Sequence, residues 1–333
     1  MTTTEDDLRP AEFAQAAAGA ITDAQGRDFR DAARILAEAG LSGVCASDAA
    51  GGLGLGIEFA VPLVAEAGKL QLQWPLPETI LVARALGDSP LAAELVSGRR
   101  VATWALQGSL REGFAGHARH AAGCDWVLVA DGEGGGALLD IGSLTLSQDE
   151  ALDPEHPQSW LALAPGHVRR LASIDAAAFA ALQRDGHLLV ASLVNGAAEA
   201  ALATTAAYMA TRVQFGRPLS SKQAVRHLLA RMHLLHEAAS AGVERALVPD
   251  EYGLARQTGT VLAGALANAA FVLEKAIHLH GGMGFTWELP LHHSLREIRK
   301  FDAAFGSGLG EGALARQAGL GFIASVQKTT ETT

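Results

Sequence analysis

Two stretches decide how this chain is read: His280-Gly-Gly-Met-Gly-Phe-Thr-Trp-Glu288 and the earlier Arg212-Val-Gln-Phe-Gly-Arg-Pro-Leu219. The first sets closely spaced glycines after a long apolar run, where backbone N–H groups in a turn between helices can meet a phosphate. The second puts a cation at the end of another apolar run, where it complements the helix dipole. Dipole complementation before a stop accounts for Arg212, Gly216 and Pro218, but not for Phe215 or for Gln223 at their offsets. A guanidinium makes paired hydrogen bonds to a pyrophosphate, and an aromatic ring packs against another flat ring.

Outward from these motifs, composition sets the class. The chain has 333 residues, 49% hydrophobic and 19% charged. That is long enough for two or three domains with buried cores and too apolar for disorder. A net charge of -10 disfavours a non-specific nucleic-acid binder, which needs clustered cations for phosphates. Cys45 and Cys124 are too few for a disulfide framework and read as reduced thiols. The opening Met1-Thr-Thr-Thr-Glu-Asp-Asp lacks the charged and apolar regions of a signal peptide, so a cytoplasmic location is expected. Residues 188–210 are apolar enough to be mistaken for a membrane span. Glu199 near the middle would cost about 3 kcal/mol there, and a buried helix of a bundle is the expectation.

The texture changes twice. Residues 1–98 are Ala-rich with helical periodicity, as at Phe29, Ala33, Leu36 and Ala37. Residues 99–172 carry runs of strand length, Val101-Ala-Thr-Trp-Ala-Leu106, Trp126-Val-Leu-Val-Ala130, Ala137-Leu-Leu-Asp-Ile141 and Trp160-Leu-Ala-Leu163. Asp131-Gly-Glu-Gly-Gly-Gly136 between two of them is a hairpin signal. Residues 173–333 return to helices, expected near 187–213, 220–246 and 251–280, with Ser220 or Ser221 as an N-cap. The expected fold class is α+β: an N-terminal helical domain, a small middle β domain and a C-terminal helical domain.

Other motifs fail their own tests. Gly51-Gly-Leu-Gly-Leu-Gly56 misses the dinucleotide spacing because position 57 is Ile, and it does not follow a strand. Gly306-Ser-Gly308-Leu-Gly310 fails likewise. His233 and His236, and the adjacent His292 and His293, lack the further ligands a metal needs, so no metal is expected.

At this point a family resemblance becomes specific. Arg212-x-x-Phe-Gly-x-Pro-Leu219 with Gln223-Ala-Val-Arg-His227 resembles the flavin-contacting helix pair of the acyl-CoA dehydrogenases. His278-x-x-Gly-Gly-x-Gly-Phe-Thr-Trp-Glu288 resembles their second flavin-contacting turn, and Ala50-Gly-Gly-Leu-Gly54 with Glu58 a turn of their N-terminal domain. The resemblance covers the whole chain in the right order and implies a C-terminal four-helix bundle and FAD at a subunit interface. Carried over, Arg212, Phe215, Gln223, His278, Gly281 and Gly282 are the cofactor-binding candidates, with His278 where a glutamine is usual.

The resemblance also exposes what is missing. The family's catalytic glutamate corresponds to Phe305, and the alternative position used by some relatives to Gly186. Neither takes a proton; Asp185 is the nearest acid, and Glu311 another relocated candidate. Ala105-Leu-Gln-Gly-Ser-Leu-Arg-Glu-Gly-Phe114 replaces the usual Thr-Glu-Pro-like segment, and Trp126-Val-Leu-Val lacks the threonine of the strand that covers the flavin. The implied function is a non-catalytic subunit of a heteromeric enzyme, sharing FAD with a homologous catalytic partner in an α2β2 heterotetramer. Such subunits resemble those of steroid and bile-acid side-chain degradation, with electron-transfer flavoprotein as acceptor. The alternatives are a flavin-free scaffold or CoA-ester-binding protein, and a self-sufficient dehydrogenase with a relocated base.

Overall fold

The computed structural model describes residues 9–149, 153, 156–164 and 166–306. Compactness divides the chain into two units, Met1–Leu189 and Val190–Thr333.

The first unit opens with five helices: α1 (Pro10–Ala24), α2 (Phe29–Glu38), α3 (Ile57–Lys69), α4 (Leu76–Ala85) and α5 (Pro90–Val96). Their starts follow local chemistry. The Asp28 carboxylate accepts the Arg30 N–H at the head of α2, and Ser89 caps α5 ahead of Pro90. On α2 the expected stripe is turned inward, with Ala33 and Leu36 fully buried. Seven strands follow: β1 (Ala102–Ser109), β2 (Phe114–Ala118), β3 (Trp126–Ala130), β4 (Gly136–Asp140), β5 (Thr145–Asp149), β6 (Gln158–Ala162) and β7 (Arg170–Ile174). They form one sheet in the order β5-β6-β2-β1-β3-β4-β7. Among the described strands only β1 and β3 run parallel; the other pairs are antiparallel.

The β3–β4 hairpin forms as expected, because the Asp131 carboxylate accepts the N–H groups of Glu133 and Gly135 while Gly132 and Gly134 take positive φ. One sheet face buries Ala105, Ala115, Val127, Val129, Leu139 and Leu161 in a common core. The first turns of α6 (Ala176–Thr211) cross the other face, held by two glycine–aromatic contacts. Phe179 of the helix fits over Gly136 of the sheet, and Trp104 of the sheet fits against Gly186 of the helix.

The second unit holds the rest of α6, then α7 (Gln223–Leu247), α8 (Thr258–His280) and α9 (Leu291–Gly306). α8 packs between α7 and α9 and buries Leu262, Leu266, Ala269 and Leu273. Two apolar helical segments, Ala176–Thr211 and Thr258–Phe285, are long enough to cross a membrane by length and composition; their apolar windows are 67% and 56% buried in the fold.

Several boundaries differ from expectation. α6 begins at Ala176 rather than near His187, because the Asp175 carboxylate accepts the Ala178 N–H and starts the helix early. α8 begins at Thr258 rather than near Glu251, because Asp250 binds the N–H groups of Tyr252 and Leu254 and holds a loop. Neither Ser220 nor Ser221 caps α7. Residues Leu219–Ser221 form a 3-10 turn, the Ser221 hydroxyl donates to the Pro218 carbonyl, and Lys222 is the N-cap residue.

Candidate functional site

The residues singled out for cofactor binding all lie in the second unit. α6 ends at Thr211, and the Arg212 N–H donates to the Tyr208 carbonyl at 2.9 Å. The Arg212 carbonyl in turn accepts the Leu219 N–H at 2.8 Å, closing a small hairpin. Its strands are β8 (Val213–Gln214) and β9 (Arg217–Pro218), paired antiparallel. The two loop residues, Phe215 and Gly216, have φ of 55° and 76°, the left-handed pair that a two-residue hairpin requires.

Glycine takes that conformation freely. A residue with a Cβ is disfavoured there by about 1–2 kcal/mol. Phe215 is also 89% exposed, with Lys222 Nζ 5.1 Å from its ring centroid. The backbone is thus strained at a residue whose aromatic ring stands in solvent.

Beyond the hairpin, α7 starts with no side chain capping its first turn and no acidic residue in it. Residues 212–226 carry four cations, Arg212, Arg217, Lys222 and Arg226, and no acid. An uncapped helix N-terminus amid positive charge favours an anion. Gln223 is exposed at that terminus.

The second motif follows α8 as a short 3-10 turn, Gly281–Phe285. Its glycines are needed for different reasons. Gly281 has φ 62° and ψ -135°, which side chains do not tolerate. A Cβ on Gly284 would fall 2.2 Å from the Ile277 carbonyl oxygen. Gly282 has neither constraint, and a Cβ there would meet nothing within 4 Å. Its open space leaves the backbone approachable from outside. His278 is exposed beside it and lines a groove of about 650 Å³ with Phe285, Trp287 and His292. Met283, Phe285 and Trp287 are all exposed.

The two motifs meet through a residue that sequence reasoning passed over. Tyr208, one turn before Arg212, stacks on His280 with ring centroids 4.7 Å apart and planes 12° apart. Its hydroxyl reaches the Met283 sulfur at 3.8 Å. Its offset of four from Arg212 was the available signal.

The positions related to proton abstraction are differently placed. Phe305 lies half-buried near the end of α9. Gly186, in the first unit, is filled from the sheet: a Cβ there would lie 2.5 Å from the Trp104 ring. The neighbouring Asp185 is ion-paired with Arg84 at 2.6 Å beside a pocket of about 240 Å³. Burial pushes its carboxyl up, and the guanidinium only partly offsets this. Glu311, with Ser307, Gly308 and Gly310, lies outside the described residues. Both cysteines are free and buried, and burial pushes the Cys45 thiol up to about 12, far from a nucleophile's range.

Comparison with known proteins decides the family. Acyl-CoA dehydrogenase IpdE2 of Mycolicibacterium smegmatis is 30% identical over 273 residues, 77% of this chain and 77% of that protein. The chain belongs to the acyl-CoA dehydrogenase family. The family description "Acyl-CoA dehydrogenase, C-terminal domain" matches residues 184–308, the stretch that holds both motifs. Acyl-CoA dehydrogenase FadE34 of Mycobacterium tuberculosis is 29% identical over 276 residues, 78% of this chain but 38% of FadE34.

Among solved structures, the Tcur3481-Tcur3483 steroid acyl-CoA dehydrogenase variant matches with a TM-score of 0.81 at 24% identity, over 96% of this chain and 98% of that one. The ChsE4-ChsE5 complex of Mycobacterium tuberculosis gives 0.80 at 23% identity, over 97% and 98%. The fold is thus that of an acyl-CoA dehydrogenase, a family of FAD-dependent enzymes. In the second unit, the cations of residues 212–226 and the approachable backbone at Gly282 fit an FAD pyrophosphate, and the exposed ring of Phe215 fits a flat ring.

Proposed function

We propose that this chain is the non-catalytic subunit of a heteromeric acyl-CoA dehydrogenase. It lends Arg212, Phe215, Gln223, His278, Gly281 and Gly282 to an FAD whose ring, base and acyl pocket belong to a homologous catalytic partner, in an α2β2 heterotetramer. The observation that carries the reading is the contrast between the chain's two halves. The second unit keeps an open, cationic surface with a strained, exposed Phe215, while the alternative base position in the first unit is closed by Trp104.

Bound FAD supplies the hydride acceptor when a CoA thioester is oxidised between its α and β carbons. This chain's residues bind and orient. Arg212 and the first turn of α7 would neutralise the phosphates, the Gly281-Gly282 backbone would offer them N–H donors, and Phe215 would pack on a flat ring. The α-proton needs a carboxylate within hydrogen-bond reach, and the partner supplies it. Asp185 is a poor substitute because Arg84 already holds its charge.

The substrate class we propose is a bulky steroid or bile-acid side-chain CoA ester, handled in the cytoplasm with electron-transfer flavoprotein as acceptor. Support comes from two similar structures, one described as a steroid acyl-CoA dehydrogenase and the other as a two-protein complex. The test is flavin retention. A tagged chain purified from its native host with its partner should carry FAD, and Arg212→Ala should abolish retention while leaving the complex assembled. Unchanged retention in Arg212→Ala would remove the site assignment.

A further inference from the structure

We propose that Tyr208 is a positioning residue that locks the Arg212 hairpin to the Gly281–Phe285 turn, so that the two anion-binding elements meet a flavin as one preset surface. The inference rests on the flavin reading above and adds a residue that reading does not use.

The lock is a continuous series of contacts. His280 is 5% exposed, and its Nδ1 lies 2.8 Å from the Ala276 carbonyl, one turn back on α8. That carbonyl can only accept, so Nδ1 carries the proton and the imidazole plane is fixed by its own helix. Tyr208 lies flat on that fixed ring, 12° from parallel, and its hydroxyl contacts Met283 inside the glycine turn. Its backbone carbonyl accepts the Arg212 N–H. One residue therefore touches His280 just before the turn, Met283 within it, and the backbone of Arg212.

The surroundings separate this role from simple packing. Along the last turns of α6, Thr205 and Met209 are fully buried and anchor the helix. Ala206, Ala207, Ala210 and Thr211 are exposed. Removing the Tyr208 ring should therefore leave the helix seated while freeing its final turn, with Arg212 and Phe215 beyond it. Binding would then have to order the two elements, and that lost preorganisation appears as weaker affinity.

The experiment uses the tagged chain with its copurified partner, stripped of flavin and titrated with FAD. Tyr208→Ala is expected to raise the Kd for FAD by about tenfold or more. Tyr208→Phe, which keeps the stack, should stay within about twofold of the parent. His280→Ala should match Tyr208→Ala, and the double variant should be no weaker than either single, because both remove one contact. Melting of the apo chain should be unchanged in the Tyr208 variants, whose ring is only partly buried, and lower in His280→Ala, which empties a buried site. Wild-type affinity in Tyr208→Ala, with binding lost in Arg212→Ala, would overturn the positioning role and leave the flavin reading intact. Wild-type affinity in Arg212→Ala as well would overturn the flavin reading itself. If the alanine variants lose affinity additively, or only in step with melting temperature, Tyr208 is a packing residue and the inference fails.

Discussion

The ring of Trp104 occupies the space that any side chain at Gly186 would need, with Cζ3 2.5 Å and Cη2 3.1 Å from where a Cβ would sit. The sheet side chain is 5% exposed and the helix backbone runs directly over it. A base at this position is therefore excluded by packing as well as by sequence.

Gly186→Glu should not create a dehydrogenase. Forcing a side chain into a filled interface costs about 1–3 kcal/mol, so the variant should melt earlier and stay inactive with acyl-CoA. Adding Trp104→Ala should recover part of the stability by making room. Calorimetry of the parent and the two variants checks this, and activity in the single variant would contradict it.

Phe215→Gly should separate stability from binding. Glycine relieves a left-handed backbone penalty of about 1–2 kcal/mol, while its unfolded-state entropy takes back about 0.5–1 kcal/mol. The apo chain should be as stable as the parent or slightly more so, yet hold FAD more weakly in the complex. Parallel melting and flavin titration read both effects.

Asp125 joins the helices to the sheet. Its carboxylate accepts from Arg30 at 2.7 Å, Arg100 at 2.8 Å and the Val101 N–H at 2.9 Å. Burial alone would push its carboxyl up, but the hydrogen bonds from Arg30, Val101 and Arg100 outweigh that and hold it below its usual value. A lowered folded-state pKa contributes stability that is present above the unfolded value, near 4, and is lost as pH falls through the folded one. Both arginines are half exposed, so Asp125→Asn should destabilise by only about 1–2 kcal/mol at neutral pH. The gap from the parent should narrow below about pH 4. Urea melts across pH measure it.

His187, on α6, brings a second acid sensitivity. Burial pushes its imidazole down to about 4. The folded chain holds it neutral, so its contribution is complete above the unfolded value of about 6.5 and falls as pH drops toward 4. Up to about 3 kcal/mol is lost over that window. His187→Gln should flatten the slope between about pH 6.5 and 4 without altering the lower limb set by Asp125. An unchanged slope would place the sensitivity elsewhere.

Much of this was legible in the chain itself. The order of helices, strands and helices follows from periodicity, and the β3–β4 hairpin from Asp131 and its glycines. β2 was not legible, because Phe114-Ala-Gly-His-Ala118 has no alternation; Gly116 is there to accept the Trp160 ring, which a Cβ would meet at 2.4 Å. β5 and β7 lie at the sheet edges, where polar residues mask a strand pattern. In the site, Phe215 could be singled out by its offset, but its left-handed backbone and exposure could not. Tyr208 sat one turn before Arg212 in plain view, but its role did not, because its partner, His280, is 72 positions away in sequence and reaches it only through the packing of α6 and α8.

The central claim, that this chain holds half of a flavin site, is tested most directly by flavin stoichiometry. The chain should be purified alone and with its copurified partner, and protein-bound FAD counted in each. The account predicts a colourless chain alone, a yellow complex that oxidises acyl-CoA, and loss of that flavin with Arg212→Ala. A yellow chain that oxidises acyl-CoA by itself would contradict it.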